Sequence, residues 1–271
     1  MTLRHRPVIA GTTLLAAIAL SACALPFGNA APDRSVSRSI FADEFDGPAG
    51  PVSGRWQAET GGGGWGNNEA QVYTADQSNV RIDGKGHLQI TARYDGKTVT
   101  SARLTTGGKA SITYGRVEAR ISLPAGAGLH PAFWLLGDNL PQVGWPRAGE
   151  IDVIETVNDA RDYHMSIHAP QKSSARGQTV SASGPAPMPL AGIFHTYWMN
   201  KTPGRIETGI DDRSLFVVTP ADLASDAQWV FDAPFHLLLT LAVGGDWPGA
   251  PNDSTPNPAT MLVDWVRVTG L

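Results

Sequence analysis

The chain has 271 residues, enough for one large domain, with 30 Gly and 20 Pro that favour many turns between short strands over long helices. A formal charge of −4 excludes an electrostatic nucleic-acid binder, and a single Cys excludes any disulfide within one chain. Eight Trp are a high count, and aromatic faces suit both core packing and sugar rings.

In chain order, Arg4 and Arg6 precede an apolar run from Val8 to Leu20, too short to span a bilayer comfortably. Residues 1–22 read as a secretory signal. It ends in Leu20-Ser21-Ala22-Cys23, which resembles a bacterial lipoprotein processing box, with Cys23 as the lipidated first mature residue. The expected location is therefore outside the cytoplasm, either anchored by lipid or secreted, and the membrane is reached through that lipid alone. Residues 23–39 read as a flexible tether and residues 40–271 as the globular domain. Val80 to Asp83 and His87 to Ala92 read as two strands joined by a tight turn. Val117, Ala119, Ile121 and Leu123 alternate with polar residues, which is a strand with one buried face. Arg205 to Val218 reads as a hairpin turning at Asp211-Asp212, and Pro220 to Ser225 as a short helical piece. His236 to Val243 is apolar on both faces and reads as a central strand, and Met261 to Val268 as the last one. The fold class is all-β, a sandwich or jelly roll, and the domain is expected to be a monomer.

Glu150, Asp152 and Glu155 fall within six residues of the segment GEIDVIE. Residues two apart share a strand face, so Glu150 and Asp152 point the same way and Glu155 points the other. One extra residue, a β-bulge near Val153-Ile154, restores the parity and puts all three carboxylates on one face. Glu150 and Glu155 are then four strand steps apart, roughly 13 Å between Cα atoms, and inward-leaning side chains bring the carboxyls to about 5–6 Å. Retaining glycosidases need about 5–5.5 Å. Read alone, the same residues also suit an exposed strand with a wetted acidic face.

The flanks narrow the choice. Gly144 to Glu155 (GWPRAGEIDVIE) resembles the glycoside hydrolase family 16 signature in its bulged E-x-D-x-x-E form, and within it the bacterial laminarinases, endo-β-1,3-glucanases. Gly64 to Thr74 (GWGNNEAQVYT), Thr100 to Thr106, Tyr114 to Arg120, Pro131 to Gly137 (PAFWLLG), Leu241 to Gly249 (LAVGGDWPG) and Met261 to Val268 follow in the family's order. The resemblance implies a concanavalin A-like jelly roll with a cleft across its concave sheet, and a β-glucan polysaccharide as partner. It implies Glu150 as nucleophile, Glu155 as general acid/base and Asp152 as the residue that tunes Glu150, with no cofactor for catalysis. It implies sugar contacts from Trp145, Trp134, His168, Asn68 and Arg103. It also implies a structural calcium held by Glu44, Gly84 and Asp264, oxygen donors suited to a hard cation.

The chain departs from laminarinases at His130, where Trp is usual, at Asn200-Lys201, where Glu-Trp is usual, at Thr208-Gly209, where an aromatic pair is expected, and at Thr240, where Asn is common. These departures keep two alternatives open. One is a transglycosylase or a hydrolase of another β-glycan on the same fold, and the other a glycan-binding sandwich without turnover.

Overall fold

The computed structural model describes residues 38–271. Cys23 and the signal segment lie outside the described residues. Seventeen strands follow in chain order: β1 (Arg38–Asp43), β2 (Gln57–Glu59), β3 (Gln71–Tyr73), β4 (Val80–Ile82), β5 (Leu88–Tyr94), β6 (Val99–Ser101), β7 (Arg103–Thr105), β8 (Gly115–Ser122) and β9 (Leu129–Gly137). Then come β10 (Glu150–Glu155), β11 (Asp162–Gln171), β12 (Ser174–Pro185), β13 (Phe194–Thr202), β14 (Arg205–Ile210), β15 (Arg213–Val218), β16 (Phe235–Val243) and β17 (Ala259–Gly270). The only helical pieces among the described residues are a single turn at Leu140–Val143 and a 3-10 turn at Pro220–Asp222, shorter than the helical piece expected there. The first strand opens two residues inside the expected tether, because Arg38 and Ser39 already pair with Gly270 and Thr269 of β17.

The strands form two sheets. One runs β15-β14-β13-β8-β17-β5-β6-β3, with β1 on β17 and β4 on β5; the other runs β12-β11-β10-β9-β16-β7-β2. The fold is the jelly-roll sandwich expected from the sequence. Its core is the pair of inner faces: Val117, Ala119 and Ile121 of β8 meet Phe133, Leu135, Ile151, Ile167, Leu237 and Leu239 of the second sheet, all buried. Alternation along β9, β10, β11 and β16 sends every other side chain to the far face of that sheet, which carries the cleft.

Two departures from the resembled family have packing causes. Lys201 is fully buried and donates from Nζ to the Thr113 and Ala233 carbonyls at 2.7 and 2.6 Å, so it ties two loops together inside the sandwich. Gly209 lies beneath the buried Trp198 ring: a Cβ there would stand 2.4 Å from the ring and 2.1 Å from the Arg213 carbonyl. Neither atom can yield without moving the β14–β15 pairing. Gly209→Ala is therefore expected to cost more than about 2 kcal/mol of stability, read as a lower midpoint in equilibrium urea unfolding; an unchanged midpoint would contradict the packing assignment.

Candidate active site

The acidic strand is bulged where its parity requires. Asp152 pairs with Trp134 of β9, yet Ile154 pairs with the next residue back, Phe133, leaving Val153 as the extra residue. Val153 and Ile154 both enter the core, and Glu155 returns to the face of Glu150 and Asp152. The flanking strands keep the same register. Glu150 lies between Leu136 and His168, Asp152 between Trp134 and Ser166, and Glu155 between Ala132 and His164. Gly149, just before Glu150, has φ +80°, and a Cβ there would come within 2.8 Å of Val230 and 3.0 Å of Phe235. Only glycine lets the chain enter the strand so close to that apolar floor.

The three carboxylates line a cleft of about 640 Å³. Trp145 Nε1 donates to Glu150 Oε2 at 3.0 Å. Ser166 donates its hydroxyl to Asp152, and His168 Nε2 lies 3.2 Å from Asp152 Oδ2 and 3.6 Å from Glu150 Oε1. The other ring nitrogen, Nδ1, is 2.9 Å from Thr179 Oγ1. His130 Nε2 is 2.8 Å from Glu155 Oε1. Two tryptophans stay open to solvent at the cleft, Trp145 at 46% exposure and Trp247 at 44%, which marks them as contact surface rather than core.

The electrostatics follow from burial. Burial and the adjacent Asp152 charge push the Glu150 carboxyl up to about 8, against a smaller opposing pull from His168. Burial and Asp152 also raise Glu155, opposed by the hydrogen bond and charge of His130. Burial disfavours a charge on His168, but its hydrogen bond to Asp152 and the surrounding carboxylates outweigh that and raise the imidazole to about 9. His168 is thus a cation set against Asp152 and Glu150. Donor atoms of Glu150, Asp152 and His168 lie within 4.8 Å of one another, a spacing that could bridge a metal ion.

Most of the residues expected at the sugar are in place. Trp145, Trp134, His168 and Arg103 all line the cleft. Trp134 Nε1 donates to Thr240 Oγ1 at 3.2 Å, so the hydroxyl at that divergent position fixes the floor tryptophan. The Arg103 guanidinium lies over the Trp134 and Trp65 rings and pairs with Glu59. Asn68 is exposed, and its Nδ2 donates at 3.0 Å to both carboxylate oxygens of Asp246. Its left-handed backbone, φ 54°, turns the chain so that the neighbours Asn67 and Glu69 reach the cleft. The carboxylates expected at calcium are paired with arginines. Arg267 takes both Glu44 oxygens at 2.8 Å, and Arg120 pairs with Asp264, so the two carboxylates meet guanidinium groups rather than each other. Residues so engaged, with the Gly84 carbonyl, do not fit a hard cation.

Trp247 and Glu69 line the cleft without having been assigned to it from the sequence, and His130 and His164, at positions that depart from the laminarinases, line it too. The signal for Trp247 was present, a bulky aromatic between glycines in Gly245-Asp-Trp-Pro-Gly249, where a core tryptophan is rare.

The chain matches the family described as Glycosyl hydrolases family 16 over residues 67–267. It is 41% identical over 243 residues to a beta-glucanase of Rhodothermus marinus, covering 84% of this chain and 84% of that one. The catalytic domain of an endo-1,3-beta-glucanase (laminarinase) from Thermotoga petrophila RKU-1 superposes with a TM-score of 0.78 at 35% identity, over 86% of this chain and 97% of that one. An endo-beta-1,3-glucanase from Pyrococcus furiosus gives 0.77 at 40% identity, over 86% and 94%. Sequence, fold and cleft agree: the chain belongs to glycoside hydrolase family 16.

Proposed function

We propose that the protein is a retaining endo-β-1,3-glucanase that hydrolyses laminarin-type β-glucans by double displacement. The observation that carries this reading is the bulge at Val153, which sets Glu150, Asp152 and Glu155 on one face of an open cleft with a solvent-exposed tryptophan near each Glu. An open groove accepts a chain at internal bonds, and the relatives named for β-1,3-glucan cleavage support the linkage.

In this mechanism Glu150, ionised, attacks the anomeric carbon while Glu155 gives its proton to the departing glycosidic oxygen. The glycosyl ester forms on Glu150 as the sugar bond breaks. Glu155, now a carboxylate, takes a proton from the water that attacks the same carbon and frees Glu150. The sugar under attack lies toward Trp145, which holds Glu150 through its indole N–H, and the leaving sugar toward Trp247, which meets the His130 and His164 rings. Asp152 and the His168 cation set the charge of the cluster, which titrates as a unit.

Trp145→Ala is expected to raise KM on laminarin about fivefold to tenfold through lost stacking. It also removes a hydrogen bond that lowers the Glu150 pKa, so the acid limb of the pH profile moves to higher pH. Initial-rate kinetics from pH 4 to 9 check both, and an unchanged KM would remove Trp145 from the sugar site.

The same reading places the domain outside the cytoplasm on a lipid at Cys23. Its support is the apolar leader and the Leu20-Ser21-Ala22-Cys23 box. Labelling with a radioactive fatty acid, lost in Cys23→Ala, tests it; equal labelling of both would refute it.

A further inference from the structure

His130 sits on β9 opposite Ala242 of β16, two residues before Ala132, the residue that faces Glu155 across the sheet. Its Nε2 lies 2.8 Å from Glu155 Oε1. The ring meets Trp247 edge to face, with centroids 5.0 Å apart at 78°, and Trp247 meets His164 in the same way at 4.7 Å. The second ring nitrogen, Nδ1, is buried with no hydrogen-bond partner. A buried N–H without an acceptor costs more than a bare ring lone pair beside apolar atoms. Burial disfavours a charge on His130, but its hydrogen bond to Glu155 and the Glu155 charge outweigh that and raise the imidazole. In its cationic form, and in the neutral tautomer that leaves Nδ1 bare, the Nε2 proton is aimed at Glu155. Other titratable groups face the pair: Glu150 and Asp152 from β10, His164 and His168 from β11, and Glu69 from the segment before β3.

We propose that His130 is a positioning residue for Glu155, its Nε2–H donating to Oε1 so that Oε2 alone handles the travelling proton. The proposal rests on the retaining reading above, in which Glu155 is the acid and then the base. In the first step the Oε2–H proton passes to the glycosidic oxygen as the C–O bond breaks and Glu150 bonds to the anomeric carbon. In the second, Oε2 takes a proton from water as that water bonds to the carbon and the Glu150 ester opens. The Nε2–H proton stays on the imidazole throughout. The hydrogen bond it donates stabilises the charge that forms on Glu155, in a place where burial and Asp152 disfavour that charge.

The test is the pH profile of His130→Phe and His130→Gln on laminarin. The Phe variant loses the donor, so Glu155 holds its proton more tightly. The alkaline limb of kcat/KM then moves up by about one unit, and kcat at neutral pH falls about tenfold with KM little changed. The Gln variant keeps a neutral N–H and regains most of the rate. A limb that stays in place in His130→Phe, or a loss confined to KM, overturns the proposal. Nitrogen NMR of the native protein decides independently of any variant: a proton on Nε2 near neutral pH is expected, in the imidazolium or in the Nε2–H tautomer, and a bare Nε2 with the proton on Nδ1 overturns it. Glu155→Gln serves as the control. If that variant stays active, the retaining reading fails; if it is inactive while His130→Phe keeps its limb, only the role of His130 fails.

Discussion

Glu150→Gln is expected to lower kcat on laminarin by on the order of 10⁴-fold, with far-UV circular dichroism unchanged and an unfolding midpoint no lower than that of the native protein, because the amide removes a carboxyl that burial and Asp152 disfavour. The amide is nearly isosteric and can still accept the Trp145 indole N–H, so the loss is chemical and not structural. An amide cannot form the glycosyl ester. Glu155→Gln is expected to lose about 10²–10⁴-fold, and the loss should shrink for substrates whose leaving group needs no proton, such as an aryl glycoside with an acidic phenol. Glu150→Gln recovers nothing on such a substrate, because attack on the anomeric carbon is itself removed. Equal losses for both variants on both substrates would mean that the two carboxylates do not divide the chemistry as proposed.

The second large effect is expected at Asp152, which is buried more deeply than either Glu. Its charge raises the pKa of both neighbours, acting together with burial. In the proposed mechanism the acid limb of kcat/KM follows the first deprotonation of the coupled carboxylates, which leaves Glu150 ionised, and the alkaline limb the second, which removes the Glu155 proton. Removing the Asp152 charge lowers both pKa values. The whole bell of Asp152→Asn should slide to lower pH by about one unit or more, the alkaline limb moving opposite to that of His130→Phe. The Ser166 hydroxyl and the His168 cation lose their carboxylate as well, and kcat at the optimum should fall by about tenfold or more. A bell that keeps its position, or rises, would contradict the charge assignment.

The acidic strand was legible because its logic is local. Parity alone requires one extra residue before Glu155 can join Glu150 and Asp152, and Val153 is that residue in the β9 register. The strands at Val80, Val117, Arg205, His236 and Met261 were legible for the same reason, since alternation and turn residues are written along the chain. What escaped depends on partners distant in sequence. Asn68 belongs to a glycine-rich stretch resembling the family's, but its side chain is claimed by Asp246, 178 positions away. Glu44 and Asp264 have the chemistry of cation ligands, yet Arg267 and Arg120 reach them first. The divergent positions were visible as departures and opaque as causes: Gly209 yields its space to Trp198, Lys201 clamps two buried carbonyls, and His130 reaches Glu155.

On the proposed reading the bulged strand places two carboxylates for double displacement on a β-glucan. The most direct measurement is proton NMR of laminarin or a laminari-oligosaccharide during the first minutes of cleavage, read at the anomeric protons of the new reducing ends. Double displacement predicts that the β-anomer appears first and the α-anomer only later, by mutarotation. An α-anomer that appears first would mean a single displacement by water, and would contradict both the nucleophilic role of Glu150 and the spacing set by the bulge.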